Sequence, residues 1–108
     1  MACEIFEEDG YPTQRTQKAP LEGYIHSLGH GVGLNIHERP WSGLNAADDN
    51  LLIPGTIITI EPGLYFPDQG MGFRIEDTYW VRPDGKFELL AEFPYDFVLP
   101  MKKWKKTT

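Results

Sequence analysis

Residues 26–40 read HSLGHGVGLNIHERP and hold all three histidines of a 108-residue chain, interleaved with Gly29, Gly31 and Gly33. His26 and His30 are four apart, the spacing that puts two imidazoles on one helical face in zinc peptidases of the His-Glu-x-x-His type. The glycines argue against a helix, since each costs a helix interior up to about 1 kcal/mol relative to alanine. In an extended segment, side chains alternate, so His26 and His30 point to the same side. His37 lies an odd number of residues further on and faces away unless the glycines bend the chain. Glycine permits that bend and a close backbone approach. The expectation is that the three rings converge on one point; the plainer alternative is a set of surface histidines.

Downstream of Pro40 the signals favour strands. Thr56–Glu61 (TIITIE) is β-branched almost throughout, follows a turn at Pro54-Gly55 and is stopped by Pro62-Gly63, as a buried strand would be. Gly72–Arg82 reads as one alternating strand, with Phe73, Ile75, Tyr79 and Val81 on one face and Arg74, Glu76, Thr78 and Trp80 on the other. The Asp84-Gly85 pair predicts a tight hairpin returning through Lys86 to Ala91. Upstream, Ala2–Glu8 reads as the end of a short helix stopped at Asp9-Gly10. A helix that starts at residue 2 with no capping residue before it looks like a cut. Residues 11–23 are polar with two prolines and read as a loop. The fold class is α+β: a mainly antiparallel sheet with a short N-terminal helix. The chain divides into a helix end and loop (1–20), a motif-bearing sheet (21–100) and a basic tail (101–108).

Composition narrows the partners. At 41% hydrophobic and 24% charged, the chain falls in the globular range, and one domain accounts for its length. No stretch approaches the roughly 18 consecutive apolar residues of a membrane span. A net charge of −6 opposes the phosphate contacts that dominate nucleic-acid affinity, so neither nucleic acid nor membrane fits as a partner. Lys102, Lys103, Lys105 and Lys106 around Trp104 read as a solvated terminus. The lone Cys3 has no internal disulfide partner, and no signal peptide is visible, which favours a cytoplasmic setting.

Two carboxylates join the histidines. Glu61 ends the buried run and Glu76 lies inside the alternating strand, where glutamate is disfavoured. A carboxylate buried among apolar residues must be paired, protonated or metal-bound. The structural alternatives are a solvated strand end for Glu61 and an ion pair with Arg74 for Glu76. One imidazole and two carboxylates would suit Mn²⁺, Co²⁺ or Fe²⁺, with Zn²⁺ as a further candidate.

HSLGHGVGLNIHERP, then TIITIEPGLY, then GFRIEDTYWV, in that order and at comparable separations, resemble the second half of the catalytic domain of the pita-bread metallopeptidases. That family includes methionine aminopeptidase, aminopeptidase P, prolidase and creatinase. The resemblance runs from about Leu21 to about Pro100. It implies that His30, Glu61 and Glu76 are metal ligands, with Glu76 bridging two divalent ions, Mn²⁺ foremost. It implies that His26 and His37 orient substrate and shuttle protons, and that Arg74 supports the acidic site from behind. Methionine aminopeptidases usually carry a histidine directly after the last glutamate; here Asp77 follows Glu76, a pattern similar to the proline-specific members. The implied reaction is hydrolysis of the bond between an N-terminal residue and proline, in peptides with proline at the second position. The two ions would furnish the attacking hydroxide and polarise the scissile carbonyl. His26 or His37 would stabilise the tetrahedral intermediate or move a proton to the leaving nitrogen.

The family pattern also needs two aspartates from an earlier hairpin. Asp9, Asp48 and Asp49 do not match their positions. The chain therefore reads as the C-terminal half of a larger domain, inactive alone and prone to self-association or homodimerisation through its uncovered edge. Two other readings are open: a pita-bread member that has lost catalysis and binds peptides or proteins, and a hydrolase of the methionine aminopeptidase or creatinase type. Trp41, Tyr65, Phe66 and Trp80 read either as pocket walls or as core. Glu38 reads either as solvated or as functional.

Overall fold

The computed structural model describes residues 1–18 and 22–100; the lysine-rich tail lies outside them. Helix α1 (Ala2–Glu8) has Met1 as its N-cap without a side-chain cap bond, and it ends before Gly10, which takes the left-handed conformation the sequence predicts there. The polar stretch after it is tied down by charge and hydroxyl groups. The Met1 ammonium and then the Arg15 guanidinium hold Glu4 below the usual carboxylate range, and Arg15 and the Thr13 hydroxyl, which donates to Glu7, do the same for Glu7.

Seven short strands follow: β1 (His30–Gly31), β2 (Glu38–Trp41), β3 (Ile57–Ile60), β4 (Gly63–Phe66), β5 (Met71–Arg74), β6 (Asp77–Val81) and β7 (Phe87–Leu89). Five of them form one antiparallel sheet in the order β2-β1-β3-β6-β7, while β4 and β5 pair separately. The 82–86 hairpin closes as expected, with Gly85 N–H donating to Arg82 O and Arg82 N–H to Lys86 O. Ile58 and Thr59, on opposite faces of β3, are both buried.

One strand expectation is corrected. Gly72–Arg82 is two strands, β5 and β6, interrupted at Ile75 and Glu76 and belonging to different sheets. The cause lies opposite: Pro62 has no N–H to give and breaks the partner strand between β3 and β4, so the ladder bends on both sides at once. A single contact, Ile75 N–H to Pro62 O at 3.3 Å, crosses the bend.

The glycines flanking His30 have a steric reason. A Cβ on Gly29 would stand 1.8 Å from the Thr59 carbonyl oxygen, and one on Gly31 would stand 2.1 Å from the Arg39 carbonyl oxygen. Both neighbouring strands press against the backbone of β1, and only glycine fits on either side of the histidine. The N-terminal segment joins this framework through Tyr24, whose carbonyl receives Gln14 N–H, whose N–H reaches Pro12 O, and whose ring lies 5.0 Å from Phe6. Gly23 exchanges two backbone bonds with Tyr65 of β4, fixing the segment to the second sheet.

The core among the described residues is thin. Cys3, Tyr24, Ile58 and Val81 are its buried apolar members, whereas Leu34, Ile36, Phe97 and Val98 face solvent. The radius of gyration is 17.2 Å, against about 13 Å for a close-packed chain of this length. We expect Gly29→Ala to cost about 3 kcal/mol, the upper end of overpacking, and Gly43→Ala, whose Cβ would meet Ser27 at an ordinary 3.6 Å, to stay within about 0.5 kcal/mol. Urea unfolding of the two variants checks this, and equal midpoints would refute the close approach at Gly29.

Candidate metal centre

The register through the bend decides where the carboxylates stand. Ile60 pairs with Asp77 and Gly63 with Arg74, so Glu61 faces Glu76 and Pro62 faces Ile75 without a slip. Both glutamates therefore sit at the junction of the two sheets, directly across from each other. Like charges in opposed positions destabilise a ladder unless something positive lies between them. One ligand atom of each falls within 4.8 Å of the other.

His30 closes the third side. Its N–H donates to the Thr59 hydroxyl at 3.1 Å, and its Nδ1 lies 3.0 Å from Gly31 O. A carbonyl oxygen can only accept, so Nδ1 carries a proton and Nε2 is the ring nitrogen left to face the site. Nε2 lies 3.1 Å from Glu61 Oε1. Two electron-pair donors at this distance need a proton or a metal cation between them. Thr59 further fixes Glu61, its hydroxyl donating to Oε1 at 3.2 Å, while Glu61 N–H donates to Leu28 O. His30, Glu61 and Glu76 each offer one ligand atom, all within 4.8 Å of one another. An imidazole nitrogen and two opposed carboxylates fit a divalent cation.

Burial differs from the expectation for one of these groups. The Glu61 side chain is 13% exposed, but that of Glu76 is 41% exposed, because Glu76 sits in the strand break rather than inside a strand. Desolvation thus bears on Glu61, and opposition across the ladder bears on Glu76. Arg74 approaches Glu76 at 4.0 Å with half its side chain in solvent, a loose pair.

The three rings do not share one arrangement. His37 lies against His30, with centroids 4.3 Å apart. His26 is engaged elsewhere: its Nδ1–H donates to Ser27 O, its Nε2 accepts the Tyr65 hydroxyl at 3.0 Å, and its ring packs on Tyr24 and Tyr65. Burial, with the Cys3 thiol and Glu61 adding to it, pushes the Tyr24 phenol up to about 12. Tyr65 as the partner of His26 was not legible from spacing; its cue is the Gly23 bridge, which only the fold reveals. Trp41 stands opposite His30 with centroids 6.3 Å apart, and Phe66 packs on Tyr11. Asp49 pairs with Arg39 at 3.4 Å in an exposed loop. A cleft of about 230 Å³ beside Glu76, walled by Phe73, Phe93, Tyr95 and Phe97, has no counterpart in the sequence reading. Tyr95 closes it by donating to Asp77.

An imidazole and two glutamates gathered at the junction of antiparallel sheets form a group that could hold a metal ion. A model of metallopeptidase family M24 matches residues 1–83, and the chain belongs to that family. Among its relatives, the Xaa-Pro dipeptidase of Pyrococcus furiosus is 46% identical over 85 residues, which is 79% of this chain and 21% of the relative. Of solved structures, the prolidase from Pyrococcus furiosus aligns with a TM-score of 0.66 at 40% identity, covering 84% of this chain and 23% of its own. Dipeptidase PepE from Mycobacterium ulcerans aligns at 0.64 with 30% identity, covering 86% and 22%. The chain has the pita-bread architecture of these proteins and spans about a fifth of the length of the relatives it matches.

Cobalt(II) titrated into the chain is expected to give weak, one-to-one visible absorption. Glu61→Gln should weaken it at least tenfold, in the range seen when metal-site groups are lost, and His26→Gln should leave it within twofold. Equal affinities for wild type and Glu61→Gln would contradict the site.

Proposed function

We propose that this chain is the C-terminal part of a catalytic domain that removes an N-terminal residue preceding proline, using two divalent metal ions held in part by His30, Glu61 and Glu76. The observation that carries the reading is the opposed pair Glu61 and Glu76 closed by His30 Nε2. A metal pair, when bound, supplies Lewis acidity and a nucleophile at neutral pH. Manganese is our first choice, since carboxylate-rich donor sets suit it.

The chain's own residues do the rest. His30 and Glu61 are pre-set by Gly31 O, Thr59 and Leu28 O, so little reorganisation precedes binding. His37, exposed and tilted against His30, is placed to pass a proton to a leaving nitrogen. His26 accepts the Tyr65 O–H, which makes it the member of a hydrogen-bonded pair able to hold substrate or relay a proton. Arg74, 4.0 Å from Glu76, lends it positive charge from the solvent side. Proline specificity rests on Asp77 standing where the methionine type usually has histidine, and on the relatives named Xaa-Pro dipeptidase.

The thin core and the solvent-facing Leu34 and Ile36 support a covering partner: the N-terminal half of the domain, with two further aspartate ligands, or in its absence a second copy of this chain. No helix among the described residues is long and apolar enough to cross a membrane, and the buried free Cys3 suits a reducing, cytoplasmic setting. In the complete protein, Ala-Pro should be hydrolysed at least about a hundredfold faster than Met-Ala, a 2.7 kcal/mol discrimination. Chelation should abolish activity and Mn²⁺ restore it, while the 108-residue chain alone should show none. Preference for Met-Ala, or indifference to chelator, would overturn the reading.

A further inference from the structure

His37 sits at the end of a loop that nothing packs. Residues 33–37 are all exposed, and Leu34 and Ile36 extend fully into solvent. The ring of His37 is nonetheless held 4.3 Å from that of His30. Two bonds within the loop account for this order among the described residues. Gly33 N–H donates to Asn35 O at 3.1 Å, and Asn35 N–H donates to the Glu38 carboxylate at 3.0 Å.

Glu38 is well placed to hold the loop. Its backbone is fixed as the first residue of β2, paired with Gly31, and the residue itself is half-buried. Its side chain turns back over its own loop and lies flush on Gly33, where an added Cβ would stand 2.1 Å from Oε1. Among the described residues it has no cationic partner, while neighbouring Arg39 is engaged by Asp49. The carboxylate is thus committed to a backbone N–H, a charge-assisted bond of the stronger kind. We propose that Glu38 is a positioning residue: its carboxylate folds the Gly33–His37 loop and thereby fixes the His37 imidazole against His30. This rests on the reading of His37 as a proton-handling group, and it gives Gly33 a role too, since only a residue without Cβ leaves room for the carboxylate.

Two-dimensional NMR of the metal-free 108-residue chain tests this. Wild type and Glu38→Gln, whose amide oxygen still accepts the Asn35 N–H, should show cross-relaxation between the His37 and His30 ring protons. Glu38→Ala should lose it, and its Asn35 amide should exchange with solvent at least tenfold faster, with the methyl shifts of Ile58 and Val81 unchanged. Gly33→Ala, which displaces the carboxylate without removing it, should also lose the cross-peak and serves if Glu38→Ala unfolds. Retention of the cross-peak at wild-type intensity in either alanine variant, or its loss in Glu38→Gln, would overturn the proposal. No metal is added, so a negative result bears on the loop, whereas the cobalt titration separately reads the metal site.

Discussion

Two carboxylates set face to face across a bent β-ladder are the constraint around which this chain is arranged. Unbroken register from Ile60–Asp77 to Gly63–Arg74 leaves Glu61 and Glu76 no choice but to oppose each other. The repulsion could be relieved by splaying, but Glu61 is pinned by Thr59 and by its own N–H on Leu28 O. His30 brings a third potential ligand atom to the pair, with Nε2 3.1 Å from Glu61 Oε1. That arrangement is what the proposed metal site rests on.

The same bend explains the neighbouring architecture. Pro62 breaks β3 from β4 and Ile75–Glu76 breaks β5 from β6, so one long hairpin serves two sheets. The junction between them is where β1 enters, squeezed so closely between β2 and β3 that glycine must flank His30. Glycine in this segment is thus a packing requirement of three strands before it is anything else. Beyond it, the Gly33 carboxylate cradle shows a second use of the missing Cβ, in shaping a loop.

Much of this was legible in the sequence because local chemistry announced it. The β-branched run before Pro62-Gly63, the Asp84-Gly85 hairpin and the helix stop at Asp9-Gly10 each rest on a residue whose backbone preference leaves little choice. The three motifs with their order and spacing carried the family, and the metallopeptidase family M24 match agrees. What failed did so for identifiable reasons. Alternation over Gly72–Arg82 is the same whether the strand is straight or bent, because the bend originates in Pro62 on the other strand. The exposure of Glu76 follows from that break. Side-chain parity says nothing of Tyr65, which β4 brings to His26. The aromatic cleft at Phe93–Phe97 depends on Phe97 meeting Phe73 from far along the chain, which no local signal marks.

The thin core belongs to the same picture, since much of the sheet's apolar surface is uncovered among the described residues. Its donor triangle, however, is built entirely from contacts within the chain. The most direct check is anomalous diffraction from crystals of the chain grown with zinc. A single peak within bonding distance of His30 Nε2 and the carboxylates of Glu61 and Glu76 is the predicted result. Side chains of these three residues directed to separate places, with zinc bound elsewhere, would contradict it.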